Sequence, residues 1–333
     1  MHPHPRTLRR NTIRRISGIL LALSPLLAAA PSQAAAYPDH AITLIVGYPP
    51  GGSNDIVARI VAPPLARALG ASVVVENKAG ASGTIGANHV AKAQPDGYTL
   101  LLSSVSPVVL TPQTMKHPPF DSLKDFTPIN IVGLTPEAIA AGPNLKVTTL
   151  KGLLDLARQK RVTLSSSGVG GLPHLTIELL KQASKANIVH VPYRGAGPAV
   201  TDTLAGHVDG IVMDLPPLYS LIKSGKLKAL AVTSAKRVDF LANVPTAQEE
   251  LPHFDVANWV GIFAPAGTPP AVIERLDAAI HKVVAQPDVR KQLTSVAVVP
   301  SVMKNPADFH KFFDSEFHRW GKVIKDAGVT LTD

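Results

Sequence analysis

VGYPPGGSNDIVARI, Val46–Ile60, joins two kinds of structure across one short turn. The apolar run Ile42–Val46 stops at Pro49, Pro50, Gly51 and Gly52, after which apolar Ile56, Val57, Ile60 and Val61 recur near a 3.6-residue period. Ser53 and Asn54 stand at the junction, where helices take their N-caps. A strand that turns through glycine into a helix points unpaired backbone N–H groups outward, and the helix dipole favours an anion in front of them. Two questions follow: which anion, and whether it is merely held or chemically changed.

A second loop of the same build lies further on. Ser165–Leu180, SSSGVGGLPHLTIELL, is again a strand end, a small-residue turn and a helix with proline near its start. Each loop sits in its own series of alternating apolar runs and amphipathic segments. The first series runs ITLIV, a helix to about Leu69, SVVVE, a helix near Ser82–Ala93, and YTLLLS entered through Pro95-Asp96-Gly97. The second runs helix Leu150–Gln159, VTLSS, helix Pro173–Ser184, IVHVP, helix Pro198–Ala205, GIVMD, a short helix over Tyr219–Lys223, and LKALAVT. Such alternation marks parallel sheet with crossover helices, so the fold class is α/β with two lobes. The long extended segments FTPINIVGLTPEAIAA and FDVANWVGIFAPAG are expected to carry the chain across as two crossover strands, over Ile129–Thr135 and Val256–Ala264. Helices Pro269–Ala285 and Pro306–Gly328 then return to the first lobe. The expected bounds are residues 37–135 with 262–333 for lobe one and 136–261 for lobe two.

Composition narrows the function. A chain of 333 residues with 45% hydrophobic and 17% charged residues reads as an ordinary soluble globular protein with a sizeable core. Five of the net +9 charges are Arg6, Arg9, Arg10, Arg14 and Arg15, in a leader without an acid. The other bases are scattered and aromatic residues are only 5%, which argues against a nucleic-acid partner. That basic leader, the apolar run ISGILLALSPLLAAA and the small-residue segment PSQAAA read as a secretory signal peptide over residues 1–36. The run is too short, and broken by Pro25, for a comfortable membrane span. Cleavage is expected after Ala34 or Ala36, with Ala36 favoured, giving a periplasmic protein. The absence of cysteine excludes disulfides, zinc–thiolate sites and a thiol nucleophile.

Neither glycine-rich loop is a nucleotide motif. No Gly-Lys-Ser/Thr follows GYPPGGSND, and Gly80–His89, GASGTIGANH, spaces its glycines G-x-x-G-x-x-G rather than as a dinucleotide fingerprint. Taken singly, each loop is equally well a tight turn that needs glycine for backbone room. For an enzyme the nucleophile candidates are Ser53, Ser103 and Ser167, the bases His174 and His190, and the orienting acid Asp214. The spacing of a nucleophile elbow is missing, however, and serine in a small-residue turn is the ordinary choice for a cap or a ligand donor. Past the leader no H-x-x-x-H or H-x-H pair occurs, so neither a metal nor any other cofactor is expected. Two helix N-termini facing each other across a cleft instead suit an α-carboxylate or a dicarboxylate. Neither loop contains Lys or Arg, which leaves N–H groups and hydroxyls as donors and Arg194, in VPYRGAGPAV, as the nearby cation.

The segment from Tyr37 to Leu101, YPDHAITLIVGYPPGGSNDIVARIVAPPLARALGASVVVENKAGASGTIGANHVAKAQPDGYTLL, resembles the N-terminal signature of the Bug, or TctC-like, family. These are the extracytoplasmic receptors of tripartite tricarboxylate transporters. The likeness continues through VPYRGAGPAVTDTLAGHVDGIVMDLPPLYSLIKSGKLKALAVTS, NVPTAQE, WVGIFAPAGTPPAVIERLDAAI and FHRWGKVIKDAGV, and so covers the chain beyond the leader. The first loop departs from the pattern in Pro50, where alanine or glycine is common, and in Tyr48, where phenylalanine is common; its hydroxyl favours a polar or aromatic acid.

The resemblance implies a two-lobed periplasmic-binding-protein fold of the Venus-flytrap, type II-like kind, each lobe a mixed sheet flanked by helices. It implies a non-enzymatic, monomeric receptor that closes on a small organic carboxylate (mono- or dicarboxylate, aromatic or amino acid) and hands it to membrane permease subunits. By position it assigns ligand contacts to Tyr48, Gly51, Gly52, Ser53 and Asn54 in the first loop. In the second it assigns Ser167, Gly168, Val169, Gly170 and His174. Ser103 and Ser104 would line the floor, with Tyr193, Arg194, Gly195 and Asp214 completing the site from lobe two. The same lobes presenting a ligand to a membrane histidine kinase is the alternative function, and a periplasmic hydrolase a more remote one.

Overall fold

A computed structural model describes residues 37–327. Among the described residues eleven strands, β1 to β11 in chain order, form two sheets. β1 (Ile42–Val46), β2 (Val73–Asn77), β3 (Thr99–Ser104), β4 (Phe126–Leu134), β10 (Trp259–Pro265) and β11 (Val299–Pro300) build the first, in the order β11-β4-β10-β3-β1-β2. β5 (Glu137–Ala141), β6 (Val162–Ser166), β7 (Ile188–Pro192), β8 (Gly210–Asp214) and β9 (Lys228–Val232) build the second, in the order β7-β6-β8-β5-β9. β1 runs parallel to β2 and β3, and β6 parallel to β7 and β8, as alternation with helices requires. β10 lies antiparallel between β3 and β4, and β5 antiparallel between β8 and β9, so both sheets are mixed.

Both faces of the first sheet are covered, which explains the nearly unbroken apolar strands. Ile42, Leu44 and Val46 pack with Val57, Val61 and Leu65 of helix Ser53–Leu69 and with Leu276 and Ile280 of helix Pro270–Ala285. Ile45, Leu101 and Phe263 face the other way, with Phe309, Phe313 and Trp320 of helix Pro306–Ala327. The period-two alternation of strand side chains thus divides one sheet between two cores. Helix Ser53–Leu69 ends at Gly70, whose left-handed backbone (φ 80°) lets its N–H cap Ala66 O.

The crossovers differ from the sequence expectation. β4 and β10 are interior strands of the first sheet over their full lengths, and Trp259–Gly261 belongs to that sheet rather than to lobe two. The chain crosses at Thr135–Pro136 and again just before Trp259. Thr135 N–H donates to Asn258 O at 2.9 Å, tying the two crossings together. Apolar runs such as these read alike whether they bridge lobes or fill a sheet, because both settings are buried.

Candidate functional site

The first loop is shaped by glycines that pack backbone on backbone. A Cβ on Gly47 would lie 2.4 Å from Gly83 O, and one on Gly86 would lie 2.8 Å from Gly47 Cα. That approach explains the G-x-x-G-x-x-G spacing of Gly80–Gly86. Beyond it, Asp55 ties the turn to its own helix: its carboxylate accepts from Gly51 N–H (2.9 Å), Arg59 Nε (3.0 Å) and Asn77 Nδ2 (2.9 Å). Burial opposes the Asp55 charge, but the bonds from Arg59, Gly51 and Asn77 outweigh it and hold the carboxyl below its usual range. Ile56 N–H is the first to bond back along the helix, to Gly52 O at 3.0 Å, and no side chain caps this end. The N–H groups of Ser53, Asn54 and Asp55 therefore stand outside the helical ladder.

The second loop uses its donors differently. Gly168 N–H donates to Ser166 Oγ (3.3 Å), Gly170 N–H to His174 Nδ1 (3.0 Å), and Leu172 N–H, the first of helix Leu172–Ser184, to Ser106 Oγ (2.9 Å). Ser82 Oγ donates to Val169 O (2.6 Å) and Thr111 Oγ1 to Gly170 O (3.1 Å). The bonds from Ser82 and Thr111 and the one to Ser106 run between the lobes. His174 stacks on His190 with ring centroids 4.1 Å apart, and His190 Nε2 lies 2.6 Å from Ser166 Oγ. Burial lowers both imidazoles, His190 to about 3, so the pair is neutral at neutral pH.

Between the loops lies a cleft of about 700 Å³, lined by Tyr48, Ser82, Ser167, Gly168, Val169, Tyr193, Arg194 and Gly195 together with Pro49, Met115 and Pro192. Beneath it an inner pocket of about 20 Å³, room for about one water, is lined by Tyr48, Gly52, Ser53, Asn54, Ser104, Ser167 and Asp214, with Ser106, Pro173, Ala196 and Met213. Twelve of the sequence-assigned residues thus meet at one place. Four do not line it. Gly51 is turned back onto Asp55, and Gly170 and His174 bond each other beneath the loop. Ser103 is buried in the sheet, opposite Gly261, with its hydroxyl on Ser104 O. Sequence reasoning missed Ser82 and Ser106, although Ser106 stands two residues past Ser104. It also missed Ala196, which opens a third helix, Ala196–Ala205, on the inner pocket.

The electrostatics of the floor come from two acids. Glu137 and Asp214 are direct partners in the antiparallel β5–β8 register, so their side chains lie on one face. Glu137 is 0% exposed; the Thr176 hydroxyl donates to its Oε2 at 2.5 Å, while its Oε1 has no hydrogen-bond partner among the described residues. Asp214 Oδ1 accepts from Asn258 Nδ2 at 2.8 Å, and Ser53 is a second hydrogen-bond partner. Burial, followed by the neighbouring Asp214 charge, raises Glu137 well above the usual carboxylate range; burial raises Asp214 to about 6. Tyr48, whose hydroxyl donates to Ser82 O at 2.9 Å, is raised by burial and then by Asp214. Among the described residues no Lys, Arg or His pairs with either acid, and no cluster of His and acid residues could hold a metal ion.

The model of the tripartite tricarboxylate transporter family receptor matches residues 57–329. The chain belongs to that family. The receptor is 37% identical over 320 residues to Protein BugT of Bordetella pertussis, covering 95% of this chain and 97% of that protein. Its fold matches that of R. palustris Rpa4515 with adipate at 31% identity and a TM-score of 0.85, over 88% of this chain and 99% of that one. It also matches MatC (Rpa3494) from Rhodopseudomonas palustris with bound malate, at 29% identity and a TM-score of 0.80, over 86% and 100%. The two-lobed α/β architecture is accordingly that of periplasmic binding proteins, and this receptor family is one of solute-binding proteins rather than enzymes.

Proposed function

We propose that the chain is an extracytoplasmic receptor that holds a small organic carboxylate between its lobes, unchanged, and delivers it to the membrane permease subunits of a tripartite transporter. The observation that carries this reading is the N-terminus of helix Ser53–Leu69, whose uncapped first N–H groups lie beside an inner pocket walled by Ser104, Ser106, Ser167 and Tyr48. Neutral donors of this kind bind a carboxylate without a matching cation. Adipate in one relative and malate in another support the ligand class. The expected leader, residues 1–36, lies outside the described residues; export by it would deliver the protein to the compartment where such a receptor works.

Closure on the ligand would turn on the crossings at Thr135–Pro136 and Val256–Asn258. A thermal-shift panel of mono- and dicarboxylates, followed by isothermal titration and small-angle scattering, tests the reading. At least one acid is expected to bind with micromolar affinity and to compact the protein. A panel in which sugars or cations bind and no carboxylate does would overturn it.

A further inference from the structure

We propose that Glu137 and Asp214 form a proton-binding site at the floor of the cleft, and that a ligand carboxylate docks against the inner pocket together with one proton taken up by this pair. The proposal rests on the carboxylate reading above.

Negative charge is crowded into a small space at this floor. Asp214 lines the same pocket of about 20 Å³ as Gly52, Ser53 and Asn54, and Ser53 is its hydrogen-bond partner. The helix N-terminus that would attract a ligand anion therefore already faces a carboxyl of the opposite lobe. Glu137 stands beside Asp214 in the β5–β8 register, fully buried, with Oε1 unpartnered among the described residues. The groups facing the pair from neighbouring elements are Tyr48, Ser53, Thr176 and Asn258. None is a cation; Tyr48, the titratable one, stays neutral. Arg194 lines the outer cleft, not this pocket.

Two adjacent carboxyls without a cation cannot both ionise, so the pair already holds one proton at neutral pH. Glu137, the more buried, carries it, and Asp214 keeps the charge. A ligand carboxylate brought against Asp214 adds a second negative charge to the pocket and drives a second proton onto the pair. Asp214 then becomes a hydrogen-bond donor to the ligand instead of its rival for the helix N-terminus.

The test uses the mature chain, with adipate and malate as probes, titrated from about pH 5.5 to about pH 8.5. Affinity of the wild type is expected to fall about tenfold per pH unit above about pH 6, the slope of one bound proton. Titrations in buffers of different ionisation heat should show uptake of about one proton on binding at about pH 7.5. Asp214→Asn should bind with an affinity that no longer depends on pH, because its floor is neutral throughout. Glu137→Gln should keep the slope but lose the infrared carbonyl stretch of a protonated carboxyl, which the wild type and Asp214→Asn should both show at neutral pH.

A wild-type affinity flat across the range, or a protonated-carboxyl band that survives Glu137→Gln, would overturn the proposal. If neither probe binds the wild type at any pH but either binds Asp214→Asn, the floor charge bars the ligand without being relieved by a proton, and the coupled uptake falls. If no carboxylate binds any variant, the carboxylate reading and the coupled uptake both fall, and the infrared band alone decides whether the pair holds its proton.

Discussion

The two glycine-rich loops are written in nearly the same chemistry and spend it in opposite ways. In the first, Asp55 and Asn77 hold the turn from behind, and the N–H groups of Ser53, Asn54 and Asp55 are left outside the helical ladder. In the second, three donors are taken within the protein: Gly168 by Ser166, Gly170 by His174, and Leu172 by Ser106 of the other lobe. A strand–glycine–helix turn thus announces donor capacity without saying who uses it. The first loop presents; the second latches.

The sharpest way to separate these roles is Gly52→Val. A Cβ at Gly52 would meet nothing nearer than Pro49 O at 3.6 Å, so the fold has room for it, yet Gly52 lines the inner pocket. The variant is expected to keep its melting temperature while losing about 3–6 kcal/mol of carboxylate binding, the worth of two hydrogen bonds to a charged group. Isothermal titration beside a melting curve checks both halves. Gly47→Ala should do the reverse. Its Cβ would sit 2.4 Å from backbone Gly83 O, a clash no rotamer relieves, and about 1–3 kcal/mol of unfolding free energy should be lost in denaturant titration.

Ser106→Ala probes the latch and should cost about 1 kcal/mol, the net value of the lost bond to Leu172 N–H. That is about 2–4 °C in melting temperature, with a more expanded ligand-free protein by scattering. Smallest at neutral pH is His190→Gln. The buried His174–His190 pair titrates below the unfolded value of about 6.5. Below that value the folded chain therefore holds fewer protons than the unfolded one. Stability is full above about pH 6.5 and is lost as pH falls toward about 3, where His190 titrates. His190→Gln should leave the melting temperature at about pH 7.5 near that of the wild type. It should also flatten the decline on acidification, which a melting series against pH will show.

Local pattern carried most of the architecture. ITLIV, SVVVE, VTLSS and IVHVP declare themselves as β1, β2, β6 and β7 because short apolar runs alternate with helical periods, and the helix opening at Ser53 stands where its junction residues put it. What escaped was long-range pairing. That β4 and β10 lie side by side inside one sheet, and that Glu137 faces Asp214, are matters of antiparallel register over dozens of residues. The same holds for the site. That Tyr48, Ser53, Ser167 and Asp214 line the pockets was legible from their loops and strand ends, but nothing local shows that Gly170 and His174 bond each other. Ser82 and Ser106 were missed because their partners come from the opposite lobe.

In the proposed function the cleft holds a small organic anion on neutral donors and releases it as it was bound. Mass spectrometry of whatever leaves the natively purified protein on denaturation tests it most directly. A stoichiometric small carboxylic acid, recovered intact after prolonged incubation with the protein, is the expected result. A neutral sugar, an inorganic cation, or an acid that the protein converts on incubation would contradict it.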